Sequence, residues 1–119
     1  MLDIIIPAYK DVDGLRRTLK STHCDEYNSW IKVTVIDDCS PIKFTEVEKE
    51  FPLVKFYHLK ENHGPGFARQ YGINNTSEPY FTFIDCGDEF ISKYSLLEIA
   101  DHVNQHPSIY LFLFPWISE

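Results

Sequence analysis

The stretch YFTFIDCGDEF, residues 80–90, indicates how this chain folds and where its functional residues lie. Its first half is an aromatic and β-branched run, which is typical of a buried strand. The run stops at Asp85, and Asp88 and Glu89 follow within four residues. Carboxylates at the tip of a strand are suited to holding a divalent cation next to a phosphate group. Alternatively, Asp88 and Glu89 lie in the first turn of a helix, whose dipole favours acidic side chains.

A second apolar run, residues 33–36, ends in the same way, at Asp37 and Asp38. The simple alternative is that these carboxylates end a strand and cap a turn, as Asp does readily. If the first strand of the chain lies between the two runs, however, Asp38 and Asp85 are two strand spacings apart, about 10 Å. One nucleotide can contact both carboxylates at that separation.

Apolar runs alternate along the chain with segments of helical periodicity. Five runs predict strands, at residues 2–6, 31–36, 54–59, 80–85 and 109–114. The first run is almost continuously apolar, so it predicts the central strand of a parallel sheet that is covered on both faces. The whole pattern predicts an α/β fold in a single domain, residues 1–119, with an open, mostly parallel, Rossmann-like sheet and helices on both faces.

Four helices are predicted between the strands, and their starts carry recognisable signals. Asp11 is expected to cap the first helix, and Ser92 the fourth. Thr45 and Glu48 have the spacing of a capping box in the second helix. A turn-rich segment at 61–66 opens the third. Ligands of this fold class bind beyond the carboxyl ends of the strands, which is where the acidic pairs lie.

The charge of the chain limits its partners. A formal net charge of −7 and a pI near 5.1 would repel nucleic acid and anionic lipid, so binding to either is not expected. The same charge means that an acidic ligand needs a cation or local hydrogen-bond donors.

The cysteines and the hydropathy bear on the compartment. Cys24, Cys39 and Cys86 form an odd set without C-x-x-C spacing, so neither a disulfide framework nor a structural zinc site is predicted. No run has the length or the pattern of a signal peptide or a membrane span. The expected location is therefore cytoplasmic.

Three segments carry a family resemblance. They are IIIPAYKDVDGLRRTLKS (4–21), VTVIDDCSP (33–41) and NHGPGFARQYGINNTSEPYFTFIDCGDEF (62–90). In order and spacing they resemble the nucleotide-sugar-binding half of GT-A glycosyltransferases of the family 2 type. The resemblance implies a GT-A nucleotide-diphospho-sugar transferase fold, here truncated. It also implies an enzyme that moves a sugar from a nucleotide-diphosphate donor, a UDP-sugar in particular, to an acceptor hydroxyl with inversion.

The resemblance implies a nucleotide site made of residues that are distant in sequence. Pro7, Ala8 and Tyr9 match the first loop of the family, which lies against the nucleoside. Asp38 matches the residue that hydrogen-bonds the base, and Arg69 matches an arginine that faces the same base.

The same resemblance implies a metal cofactor, Mn²⁺ or Mg²⁺. Asp85 matches the first acid of the D-x-D motif of the family, near the ribose and the metal, so it counts as both a nucleotide-binding and a metal-binding residue. The second acid of that motif falls on Gly87, and Asp88 follows one place later. Metal binding is therefore expected to involve Asp85 and, through a shift of one position, Asp88.

Two other function classes stay open at this point. The acceptor-binding part of the family and its catalytic base lie beyond the matching region, so the acceptor (glycan, lipid or protein), the base and any homo-oligomer are not assigned. A non-catalytic nucleotide-binding module, or a fragment without the acceptor half, is the main alternative, and Gly87 favours it. A receiver-type signalling domain ranks lower, because Pro7 and Trp116 stand where that domain needs acids and a lysine.

Overall fold

The structure, a computed structural model, describes residues 2–106 as four strands alternating with four helices. The strands are β1 (Leu2–Ala8), β2 (Ile31–Asp37), β3 (Lys55–His58) and β4 (Tyr80–Phe83). The helices are α1 (Val12–Thr22), α2 (Thr45–Glu50), α3 (Pro65–Asn75) and α4 (Ser95–Gln105). The strand predicted at 109–114 lies outside the described residues.

The four strands form one parallel sheet in the order β3-β2-β1-β4. The α/β prediction is confirmed, and β1 lies between β2 and β4 as expected. Ala8 pairs with Asp37 on one side of β1, and Ile5 pairs with Phe83 on the other. Because every strand runs the same way, their carboxyl ends meet at a single edge of the sheet.

Helices cover both faces of the sheet. Ile4 and Ile6 of β1 pack in one core with Leu15 of α1 and Leu96 of α4. Ile5, which points to the opposite face, packs with Ile36 and with Ala68 of α3. All seven residues of β1 are buried, as its continuous apolar run predicts. No helix in residues 2–106 is long and apolar enough to cross a membrane.

One acidic residue interrupts the apolar run of β1. Asp3 is only 4% exposed, and its two carboxylate oxygens accept hydrogen bonds from the hydroxyls of Thr34 (2.9 Å) and Thr76 (2.6 Å). A buried carboxylate is tolerated only where such donors replace water. Asp3 therefore links β1 to β2 and to the end of α3.

Two of the predicted helix caps are wrong. Phe44, not Thr45, is the N-cap of α2: its carbonyl accepts from Glu48 N at 2.9 Å and its side chain is buried in the core, so packing sets the start of this helix. The fourth helix begins at Ser95, and Ser92 instead accepts from Tyr94 N in the preceding turn.

The cap of the first helix is confirmed. Asp11 accepts a hydrogen bond from Gly14 N at 2.9 Å and satisfies one of the amides at the start of α1. The predicted strands at 54–59 and 80–85 each prove shorter, at residues 55–58 and 80–83.

The distance between α3 and the sheet is set at Gly72. A Cβ atom at this position would lie 2.5 Å from Cγ2 of Ile5, which is fully buried in β1. The helix can therefore approach the central strand this closely only with glycine at position 72. At the start of the same helix, a Cβ on Gly66 would meet nothing within 4 Å.

We expect Gly72→Ala to lower the free energy of unfolding by about 1–3 kcal/mol, because the added methyl group overpacks the contact with Ile5. Gly66→Ala is the matched control, since it makes the same change in α3 without a contact, and it should be neutral or slightly stabilising. Urea unfolding of both variants measures the difference. Equal stability of the two variants would contradict the packing role of Gly72.

Candidate functional site

The candidate site lies at the sheet edge formed by the carboxyl ends of the strands. Here the segment Pro7 to Tyr9 is joined directly to the acidic pair that ends β2, because Asp38 N donates to the carbonyl of Ala8 at 2.9 Å. Pro7 and Ala8 are buried within β1, and Tyr9, immediately after the strand, is 43% exposed. The buried residues thus fix the backbone from which the Tyr9 side chain projects into solvent.

Asp38 holds the start of α3 against the end of β2. Its side chain is buried, and its two oxygens accept from the backbone amides of His63 (2.9 Å) and Gly64 (2.8 Å). Asn62 Nδ2 donates to the Asp38 carbonyl at 3.2 Å. A carboxylate at a helix N-terminus is stabilised by the helix dipole. This backbone role was not evident from the sequence. A hydrogen bond from a base to Asp38 stays a prediction. Each carboxylate oxygen of Asp38 retains one lone pair that can accept it.

Arg69 and Asp85 meet across the site. Arg69 projects from α3, and its guanidinium lies 2.7 Å from Asp85 Oδ1 and 6.0 Å from the ring centre of Phe83. The two side chains are 35% and 59% exposed, so solvent screens the pair and its contribution to stability is small. What matters is the placement: α3 and β4 bring two of the sequence-predicted residues into direct contact.

The loop after β4 is held by the backbone rather than by its acidic side chains. Thr18 Oγ1, on α1, accepts from Gly87 N at 2.8 Å and donates to the Asp88 carbonyl at 2.7 Å. Gly87 has a φ of 101°, a conformation that strains any other residue, which explains why no acid stands there. The carboxylates of Asp85 and Asp88 stay exposed. Thr18 was missed, since nothing in a helical pattern marks a hydroxyl that reaches a distant loop.

Asp88 and Glu89 do not lie in the first turn of a helix, because α4 begins only at Ser95. That alternative for the two acids is therefore wrong. Within residues 2–106, no group of three or more His, Cys, Asp or Glu residues is arranged so that it could hold a metal ion. The role of Asp85 and Asp88 as metal ligands stays a prediction.

Cys86, between the two acids, is unsuited to act as a thiolate. Burial, followed by the negative charge of Asp11, raises the pKa of its thiol to about 11. Its Sγ lies 3.5 Å from the Asp11 carbonyl, so the protonated thiol is oriented toward α1. At neutral pH this residue is neither a nucleophile nor a soft metal ligand.

Comparison with known proteins identifies the family. Residues 3–118 match the sequence profile of glycosyl transferase family 2, which is nearly the whole chain. The chain belongs to glycosyl transferase family 2. This confirms the resemblance that the three segments indicated.

One relative is the glycosyltransferase GlyA of Streptococcus pneumoniae, which is 34% identical over 90 residues and covers 73% of this chain. Another is an uncharacterized glycosyltransferase of Rickettsia conorii, RC0461, which is 30% identical over 92 residues and covers 75% of the chain. The chain spans only 13% and 15% of the lengths of these relatives.

Solved structures show the same GT-A type of fold. Residues 1–349 of Staphylococcus aureus TarS in complex with UDP superpose with a TM-score of 0.78 at 24% identity, over 89% of this chain and 32% of that one. The mannosyltransferase PcManGT of Pyrobaculum calidifontis, in complex with GDP-Man and Mn²⁺, gives 0.73 at 14% identity, over 88% and 32%. At these identities the likeness supports the fold alone.

We expect Thr18→Val to lower the free energy of unfolding by about 1–3 kcal/mol, because it leaves the Gly87 amide and the Asp88 carbonyl without their partner. The matched control is Thr22→Val on the same helix. The Thr22 hydroxyl is equally buried but donates to Leu19 O of its own helix and not to the loop around Gly87.

Hydrogen exchange of the Gly87 amide gives the more specific measurement. It should accelerate in Thr18→Val and stay at the wild-type rate in Thr22→Val. An unchanged rate in both variants would show that Thr18 does not hold this loop.

Proposed function

We propose that this domain binds a nucleotide-diphospho-sugar, with UDP as its nucleotide, at the carboxyl ends of β1, β2 and β4. The observation that carries the proposal is the contact of Arg69 with Asp85 at 2.7 Å, at the same sheet edge as Asp38. Asp38 directly follows β2, Arg69 lies on α3 and Asp85 follows β4. The UDP complex of TarS, a protein of the same fold, supports the choice of nucleotide.

The proposed nucleoside contacts follow from the residues that line this edge. Tyr9 offers an aromatic ring that suits stacking on a base or ribose, and Pro7 and Ala8 provide the rigid backbone before it. Asp38 can accept from the base through its remaining lone pairs. The Arg69 guanidinium has five N–H donors, of which Asp85 Oδ1 uses one, so it can also contact the nucleotide.

The donor set fits a divalent cation that is shared with the diphosphate. Asp85 and Asp88 offer exposed carboxylates, the hard oxygen ligands that Mg²⁺ and Mn²⁺ prefer, but too few of them for an all-protein cage. Such a site keeps positions for phosphate oxygens. A bound cation would offset the charge of the diphosphate, both on binding and as the sugar leaves. The Mn²⁺ and GDP-Man in PcManGT support this assignment.

Arg69 donates to Oδ1 of Asp85, so Oδ2 would be the oxygen that Asp85 offers to a cation, while the guanidinium would keep its other N–H groups for the nucleotide.

We further propose that residues 1–119 form a single donor-binding domain, and that the protein is a glycosyltransferase whose acceptor is bound, and whose base is supplied, by other parts of the enzyme. A non-catalytic nucleotide-binding module is the second candidate. The conformation of Gly87 favours it, because a φ of 101° makes a second acid of the D-x-D type unfavourable at that position.

We expect UDP to raise the melting temperature of the chain, and to raise it further with Mn²⁺ present. At a ligand concentration of about 100 times Kd the gain is about 2.7 kcal/mol of stability. Differential scanning fluorimetry with UDP, with and without Mn²⁺, measures both effects. No shift at millimolar UDP under either condition would reject the proposed function.

Arg69→Gln should weaken UDP binding by about tenfold, since it removes a charged donor of the site. Arg16→Gln is the matched control. Arg16 carries the same charge and is half-buried like Arg69, but it is bound to Glu50 and Asp13, which lie outside the proposed site. Isothermal titration calorimetry compares the two variants, and equal affinities would remove Arg69 from the site.

A further inference from the structure

His58, the last residue of β3, lies between two carboxylates. Its Nδ1 is 2.9 Å from Asp37 Oδ2, and its Nε2 is 2.9 Å from Glu48 Oε1. An ionised carboxylate only accepts hydrogen bonds, and a neutral imidazole has a single N–H to donate. Both contacts can be hydrogen bonds at the same time only when His58 is the doubly protonated imidazolium.

The contacts continue from Asp37 to the first loop of the candidate site. The other oxygen of Asp37 accepts from Ser40 N at 2.9 Å, and Ser40 Oγ accepts from Lys10 N at 2.9 Å. Lys10 directly follows Tyr9 and has a φ of 67°, a left-handed conformation that an ordinary residue adopts only when its surroundings hold it there. The Ser40 hydroxyl is a contact that holds it.

The series therefore runs from Glu48 on α2 through His58, Asp37 and Ser40 to Lys10, with every step at 2.9 Å. The contacts of His58 with Glu48 and Asp37 are electrostatic, and the contacts from Asp37 to Lys10 are hydrogen bonds from backbone amides. A change in the charge of His58 alters the restraint on Asp37, and Asp37 in turn positions the Ser40 backbone.

We propose that imidazolium His58 is a positioning residue of the nucleotide site: by bridging Asp37 and Glu48 it fixes the turn through which Ser40 holds the Lys10 backbone and thereby orients Tyr9. This inference rests on the proposed function, in which Tyr9 contacts the nucleoside. His58 touches neither the nucleotide nor the reacting atoms. It acts only through the order of the first loop.

The titration of His58 gives the direction of the effect. Burial lowers the pKa of His58, but the hydrogen bonds to Asp37 and Glu48 outweigh burial, and the pKa is raised above its ordinary 6.5. Asp37 from β2 and Glu48 from α2 are the charged groups that face the ring, and Phe56 of the same strand stacks on it without charge.

Because the folded pKa is the higher one, the contribution of His58 is complete below its ordinary value. It is lost as the pH rises through the raised value. Above that pH the neutral ring can donate to only one of the two carboxylates, and Asp37 or Glu48 loses its bond. The first loop is then expected to be less ordered, and the affinity for UDP to fall.

Glu48→Gln is the decisive variant. The Gln amide can donate to a neutral Nε2 while Nδ1–H donates to Asp37, so all bonds of the series persist without the proton. Glu46→Gln is the matched control, because it removes the same charge from an exposed position of α2 that does not face His58.

Between about pH 5.5 and about pH 8.5, the UDP affinity of the wild type and of Glu46→Gln should fall. The ratio of each affinity to that of Glu48→Gln should fall by about threefold or more. Ionisation of UDP itself affects all three proteins equally, so it cancels in the ratio of their affinities to that of Glu48→Gln. Ser40→Ala should lower the UDP affinity and leave the titration of His58 unchanged. A merely structural role of His58 would not require this combination. A pH-independent ratio would overturn the proposal.

Nuclear magnetic resonance of the ligand-free chain separates this inference from the proposed function. In the wild type, the chemical shift of the Lys10 amide should change with pH at the pKa of His58. This change should be absent in Glu48→Gln and in Ser40→Ala. If UDP binds at no pH, the proposed function fails, but the Lys10 titration still decides whether His58 controls the loop. The inference is overturned if the pKa of His58 lies at or below its ordinary value, or if the chemical shift of the Lys10 amide does not follow the titration of His58.

Discussion

The burial of β1 between two parallel neighbours is the constraint on which the rest of the structure depends. All seven of its residues are buried, and it pairs with β2 on one side and β4 on the other. Parallel pairing requires crossover connections, each of which contains a helix here, and strands that run the same way end at the same edge. The candidate site is a consequence of this geometry, because Tyr9, Asp38 and Asp85 are simply the residues at which these strands stop or nearly stop.

At that edge, polar side chains hold the backbone, while the side chains of Tyr9, Asp85 and Asp88 stay exposed. Asp38 holds the start of α3, Thr18 holds the loop around Gly87, and Ser40 holds Lys10. Each of these contacts joins segments that are distant in sequence. The loops are therefore fixed before any ligand arrives, which lowers the ordering cost that binding would otherwise carry.

The sequence was sufficient for the strand order around β1 and for the residues that meet at its carboxyl end, because both follow from apolar runs and from where they stop. It was insufficient where tertiary packing decides. The burial of Phe44 moved the start of α2 away from its Thr45 signal, and Glu48 proved to contact His58 instead of completing a capping box. No local pattern marks the roles of Thr18 and His58, since Gly87 lies 69 residues from Thr18, and Glu48 and Asp37 lie 10 and 21 residues from His58.

The close approach of α3 to the central strand also has an evolutionary consequence. With only 2.5 Å between Cγ2 of Ile5 and the place of a Cβ on Gly72, the two positions share one volume. A larger residue at either one can be accommodated only by a smaller residue at the other. Positions 5 and 72 should therefore covary among homologues that keep the helix at this distance, and pairs that are large at both positions should be accompanied by a helix that sits farther from the sheet.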